Sequence, residues 1–106
     1  MVDQDAESTE NEELIISLGM LDMRVVEKPA PAYPVLVKAA RLRGRTIVEV
    51  LIDERGNVVR AEVQSGHPVL RGAVVAAAKR AKFRPTLVNG RRVKVSGLLT
   101  YELDEI

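Results

Sequence analysis

Few residues in this chain could do chemistry. His67 is the only histidine, with Ser65 two positions before it and Pro68 directly after. A histidine base needs a nucleophile within hydrogen-bond reach and a carboxylate to orient its ring. Ser65 and His67 leave a strand two positions apart and do not meet in that way, so His67 reads as a helix-cap or turn residue. One histidine and no cysteine fall short of a zinc-type ligand set. Asp53 and Glu54 sit in a turn-forming stretch, where Asp is a turn former. Glu49 and Glu62 lie on alternating segments among basic neighbours and read as surface ion pairs rather than paired acids. Gly44, Gly56, Gly66, Gly72, Gly90 and Gly97 are scattered, not grouped as in a phosphate-binding loop. The expectation is a protein that is not an enzyme and needs no metal or cofactor.

Charge offers the next candidates. Basic residues gather in Arg41-Leu42-Arg43-Gly44-Arg45, in Lys79-Arg80-Ala81-Lys82-Phe83-Arg84 and in Arg91-Arg92-Val93-Lys94. Phosphate backbones attract such charge, but nucleic-acid sheets also present stacking aromatics. Tyr33, Phe83 and Tyr101 are the only aromatics, and Tyr101 falls on the core side of its strand. The clusters therefore read as solvated helix ends and turns, and nucleic acid is not an expected partner. The net charge of +1 conceals a division: residues 1–23 carry −7 with no Lys or Arg, and the remainder carries +8.

These residues are held by a chain of 106 residues, enough for one domain with a tail. Hydrophobic residues make up 46%, so aliphatic side chains must carry the core. The absence of cysteine excludes a disulfide framework. No run approaches the roughly 20 apolar residues of a membrane helix. Residues 14–21 are apolar but short, and acids precede them rather than the basic region of a signal peptide. The chain is expected to be cytosolic or the soluble part of something longer.

Residues 1–12 are polar and acidic and are expected to be disordered. Residues 13–23 suit a strand or a turn of helix equally, because the run is too short for periodicity to decide. Residues 1–23 are thus taken as an acidic, largely disordered tail or lead-in, and 24–106 as the domain. Residues 24–28 read as a short strand, and Pro29, Pro31 and Pro34 enforce an extended connection. A first helix is predicted over 35–42, with Pro34 at its first position and Gly44 as its left-handed cap. Thr46, Val48, Val50 and Ile52 alternate with Ile47, Glu49 and Leu51. Val59, Ala61 and Val63 alternate with Arg60, Glu62 and Gln64. Asp53-Glu54-Arg55-Gly56-Asn57 joins the two runs as a hairpin. A second helix starts at Pro68, carries the stripe Val69, Leu70, Ala73, Val74, Ala77 and Ala81, and ends at Pro85. After the turn signal Val88-Asn89-Gly90-Arg91 comes a long strand. Val93, Val95, Leu99, Tyr101 and Leu103 share its inner face, and Gly97 interrupts that row as a bulge or a close approach. The order is (β)αββαβ. The fold class is α+β, a two-layer arrangement with two helices on one face of a three- to four-stranded, mainly antiparallel sheet.

The last strand is the remaining candidate. With the hairpin's first strand in the middle of the sheet, the last strand has an unpaired edge. Such an edge is a liability unless used, and the use it suits is addition of an extended peptide as another strand. Tyr33-Pro34, the Gly44 helix end, Ile52-Asp53 leading to Gly56-Asn57-Val58, Ser65-Gly66-His67-Pro68, Ala81-Lys82-Phe83-Arg84-Pro85 and Val88-Asn89-Gly90 recur in order. In these pieces the stretch 33–103, about two thirds of the chain, resembles the C-terminal domain of TonB-type energy transducers.

The resemblance implies a periplasmic domain, tethered to the inner membrane where the full-length chain has an upstream membrane helix and Pro-rich spacer. It implies that Val93, Lys94, Val95, Ser96, Gly97, Leu98, Leu99 and Thr100 pair with the TonB box of an outer-membrane receptor. It further implies transmission of proton-motive force from the inner-membrane ExbB/ExbD motor for siderophore-type uptake. The alternative is a soluble structural module of the same fold that dimerises through that edge or takes another protein partner.

Overall fold

The computed structural model describes residues 14–103; the segment 1–12 expected to be disordered lies outside them. The elements are β1 (Ile15–Met20), β2 (Val25–Glu27), α1 (Val35–Ala39), β3 (Gly44–Ile52), β4 (Val58–Ser65), α2 (Pro68–Lys79), β5 (Lys82–Phe83), β6 (Thr86–Val88) and β7 (Arg91–Leu103). The protein is α+β, with a mixed sheet and two helices. The main sheet runs β1-β7-β3-β4, with β6 added to β7, and β2 pairs with β5 in a separate two-stranded sheet. The β3–β4, β3–β7 and β6–β7 pairs are antiparallel, and β1–β7 is parallel.

β3 is the β-branched run, and its alternation sets the core. Thr46, Val48, Val50 and Ile52 are buried, whereas Ile47, Glu49 and Leu51 are half-buried or exposed. Asp53 closes the hairpin. Its Oδ1 accepts from the amides of Arg55 and Asn57, each at 2.9 Å, and its carbonyl accepts from Gly56 N–H at 3.0 Å. Gly56 has φ +89°, and a Cβ there would collide with the Phe83 carbonyl. The β4 register shifts opposite Leu51 and Ile52, so Val58, Ala61 and Val63 face the core and Val59 points outward. This shift replaces the simple alternation through Val59.

α2 starts as its sequence dictates. Pro68 lies in the first turn, and His67 Nδ1 accepts from Val69 N–H at 3.2 Å. Leu70, Val74, Ala77 and Ala78 are its buried residues, and the helix packs on β3 and β4. It stops at Lys79, well before Pro85. The backbone of Phe83 is committed elsewhere, because its N–H donates to the Gly56 carbonyl at 2.9 Å and β5 pairs with β2. Ala81 and Phe83 reach the core from that extended segment.

α1 is also shorter than the 35–42 expected. Pro34 is its cap rather than its first residue. The left-handed residue that closes it is Arg41, φ 55°, with Leu42 N–H returning to the Val37 carbonyl at 3.2 Å. Gly44 instead begins β3. Asn89 and Gly90 both have positive φ, 52° and 80°, and form the two-residue turn between β6 and β7.

Candidate functional site

β7 pairs with β3 along one edge from Val95 to Leu103. The strand repeat sends the backbone groups of alternate residues to the opposite edge. On that side lie the carbonyl of Leu98 and both backbone groups of Thr100, as their partners show. Lys94 and Ser96 belong to the same alternate set. This is the edge on which the sequence places the candidate site, and it is not unpaired. β1 lies on it in parallel register, with Ile15 opposite Lys94, Ile16 opposite Val95, Ser17 opposite Ser96 and Met20 opposite Leu98. The ambiguous 13–23 stretch is therefore strand from Ile15, and the sheet includes residues left outside a boundary at 24.

The cover continues beyond β1 through single bonds. Leu21 N–H donates to the Leu98 carbonyl at 2.8 Å. Asp22 accepts from Thr100 N–H at 3.1 Å and from its hydroxyl at 2.7 Å. Lys28 Nζ donates to the Thr100 carbonyl at 2.6 Å and lies 3.6 Å from the Asp22 carboxylate. Two side chains thus take over from the strand where β1 has ended. The sequence reading missed them. The acid directly after an apolar run is the signal that marks Asp22, but only pairing across 78 positions gives it a partner.

The eight residues from Val93 to Thr100 divide by face. Val93, Val95, Gly97 and Leu99 are buried, and Lys94, Ser96, Leu98 and Thr100 are half-buried on the other face. Gly97 marks a close approach. A Cβ there would stand 2.6 Å from the Gly19 carbonyl oxygen and 2.6 Å from Leu21 Cγ. Leu21, 1% exposed, thus occupies the space over Gly97. Opposite it the β1 register shifts between Ser17 and Met20, around Gly19 with φ +72°.

The other candidates stay structural. His67 caps α2. Glu49 accepts from Gln64 at 3.3 Å, and Glu102 pairs with Arg45 at 2.7 Å on the surface, where such pairs contribute little. Burial raises the Asp53 carboxyl, but the amides of Asn57 and Arg55 outweigh it and hold the group below the ordinary range. Tyr101 is buried, its ring under Lys28 Nζ at 4.7 Å. Burial pushes its hydroxyl up to about 12, with Tyr33 and Asp22 adding to the rise and Arg80 opposing it. No group of three or more metal-ligating side chains occurs among the described residues. Nor is any described helix long and apolar enough to cross a membrane.

One family model matches the chain. The family described as "Gram-negative bacterial TonB protein C-terminal" matches residues 29–103. Among solved structures, the chain is similar to the solution NMR structure of the Pseudomonas aeruginosa TonB C-terminal domain. The TM-score is 0.55 at 18% identity, over 78% of this chain and 88% of that one. At that identity the likeness speaks for the fold. No curated protein sequence matches the chain.

Proposed function

The chain belongs to the family of Gram-negative bacterial TonB protein C-terminal domains, and from that premise we propose that it grips a receptor peptide along β7. The family is an energy-transducing, protein-interaction domain of the periplasm. In the proposed role, the TonB box of an outer-membrane receptor pairs with residues 93–100. An inner-membrane motor of the ExbB/ExbD type then pulls on it, and the receptor admits its siderophore-type cargo.

One observation carries this reading: the edge of β7 away from β3 already holds an extended segment by backbone pairing. An edge that takes one strand can take another with little demand on sequence, because the bonds come from main chain. Pockets for alternate side chains supply the selectivity, here where Ile16 and Leu18 pack against the core. In a parallel pair the bonds recur evenly along the strand, so a pull along the peptide loads them together rather than one at a time. That property suits a force-bearing grip.

Titration of the 15N-labelled protein with a synthetic receptor-box peptide tests the proposal. The expected result is amide shifts concentrated on Lys94, Ser96, Leu98 and Thr100. Shifts confined to α2 and β4 would overturn it.

A further inference from the structure

We propose that the 15–18 stretch of β1 is an internal ligand that holds the β7 edge closed, and that a partner peptide binds by displacing it. The inference rests on the reading that β7 pairs with a peptide. It adds that the site is self-occupied, and by which segment.

Three observations separate a movable flap from a fixed base. β1 is weakly held. Ile15 is 47% exposed and Met20 55%, Ser17 is exposed, and only Ile16 and Leu18 pack against the core. Segments with few buried apolar contacts open at the least cost. The base is held firmly, because Leu21 is buried over Gly97 and Asp22 and Lys28 bind Thr100. Between the two lies Gly19, at positive φ, with open space around its Cβ position and the register shift at its place in the strand. β1 can therefore peel from Lys94 to Ser96 about Gly19 while Leu21 stays seated on Leu98.

The cover also states what a guest must bring. It should be extended and parallel to β7, with apolar side chains two positions apart to fill the places of Ile16 and Leu18. The side chains at the positions of Ile15 and Ser17 face away from the core, so the guest is little restricted there. The flap lowers apparent affinity by the fraction of time the edge is open. It also shields an edge that would otherwise recruit other strands.

A disulfide lock tests the proposal. Ser17 and Ser96 are in register, and paired strands lie roughly 5 Å apart, within disulfide reach. The chain has no cysteine of its own, so the S17C/S96C double variant forms a single bridge on the face away from the core. Measured against its own reduced form, the oxidised variant should bind the receptor-box peptide at least ten-fold more weakly, with reductant restoring the difference. Equal affinity in both states overturns the flap while leaving peptide binding intact. Absence of binding by the wild-type protein overturns the proposed function, and the flap with it. In a second measurement, Leu18→Ala loosens the flap and should tighten peptide binding about five-fold. It should also speed hydrogen exchange at the outward-facing Ser96 amide and leave that of Leu99, on the β3 side, slow. Weaker peptide binding by this variant would contradict the proposal.

Discussion

At Gly97 a methyl group has nowhere to go: the nearest atoms belong to the Gly19 backbone and to Leu21, itself buried. Gly97→Ala should lower stability by about 1–3 kcal/mol, the usual effect of overpacking, measured by urea unfolding. Gly72 is the contrast. It lies in α2, exposed and with nothing near its Cβ position, so Gly72→Ala should stabilise by about 0.5–1 kcal/mol. Tyr101 gives a pH signature. Its neutral form is favoured in the fold, since its pKa rises to about 12 while an unfolded tyrosine ionises near 10. The stability this contributes is complete below pH 10. It is lost between about pH 10 and 12, where the unfolded chain releases the proton first. Thermal melts across that window should show the wild type losing ground to Tyr101→Phe. A constant difference between the two would contradict this.

Among the elements, α1 is the one with an evident local flaw. Arg41 adopts the left-handed conformation that glycine holds without strain. Arg41→Gly should therefore stabilise the protein by about 0.5–1 kcal/mol, read as a higher denaturation midpoint. The elements also show how far local signals reach. The β3–β4 hairpin and the start of α2 are legible because Asp53, Gly56, His67 and Pro68 act on residues within a few positions. The inner row of β7 is legible because its period is regular, and Gly97 stands out by breaking it. The end of α2 is not legible. Ala81 continues the helical spacing of Val74 and Ala77, but Phe83, two residues on, is drawn into pairing with β2, far away in the chain. Arg41 in place of Gly44 is missed for a related reason: a Schellman closure depends on where the helix stops, and five residues carry no strong stop signal.

At the scale of the molecule, the sequence indicates a strand for pairing but not the strand already paired with it. β1 and β7 stand at opposite ends of the chain, and their contact is parallel. No turn chemistry announces such a pairing, and an apolar run as short as 15–20 does not choose its own secondary structure. The site that results is a continuous cover over one edge, part main chain from β1 and part side chain from Asp22 and Lys28. A guest peptide that takes the place of β1 inherits its geometry. The most direct measurement is therefore of NMR contacts between the backbone of a bound receptor-box peptide and the labelled protein. The account predicts interstrand contacts in parallel sense with Lys94 and Ser96. Contacts with Val58–Ser65 or α2, and none with β7, would contradict it.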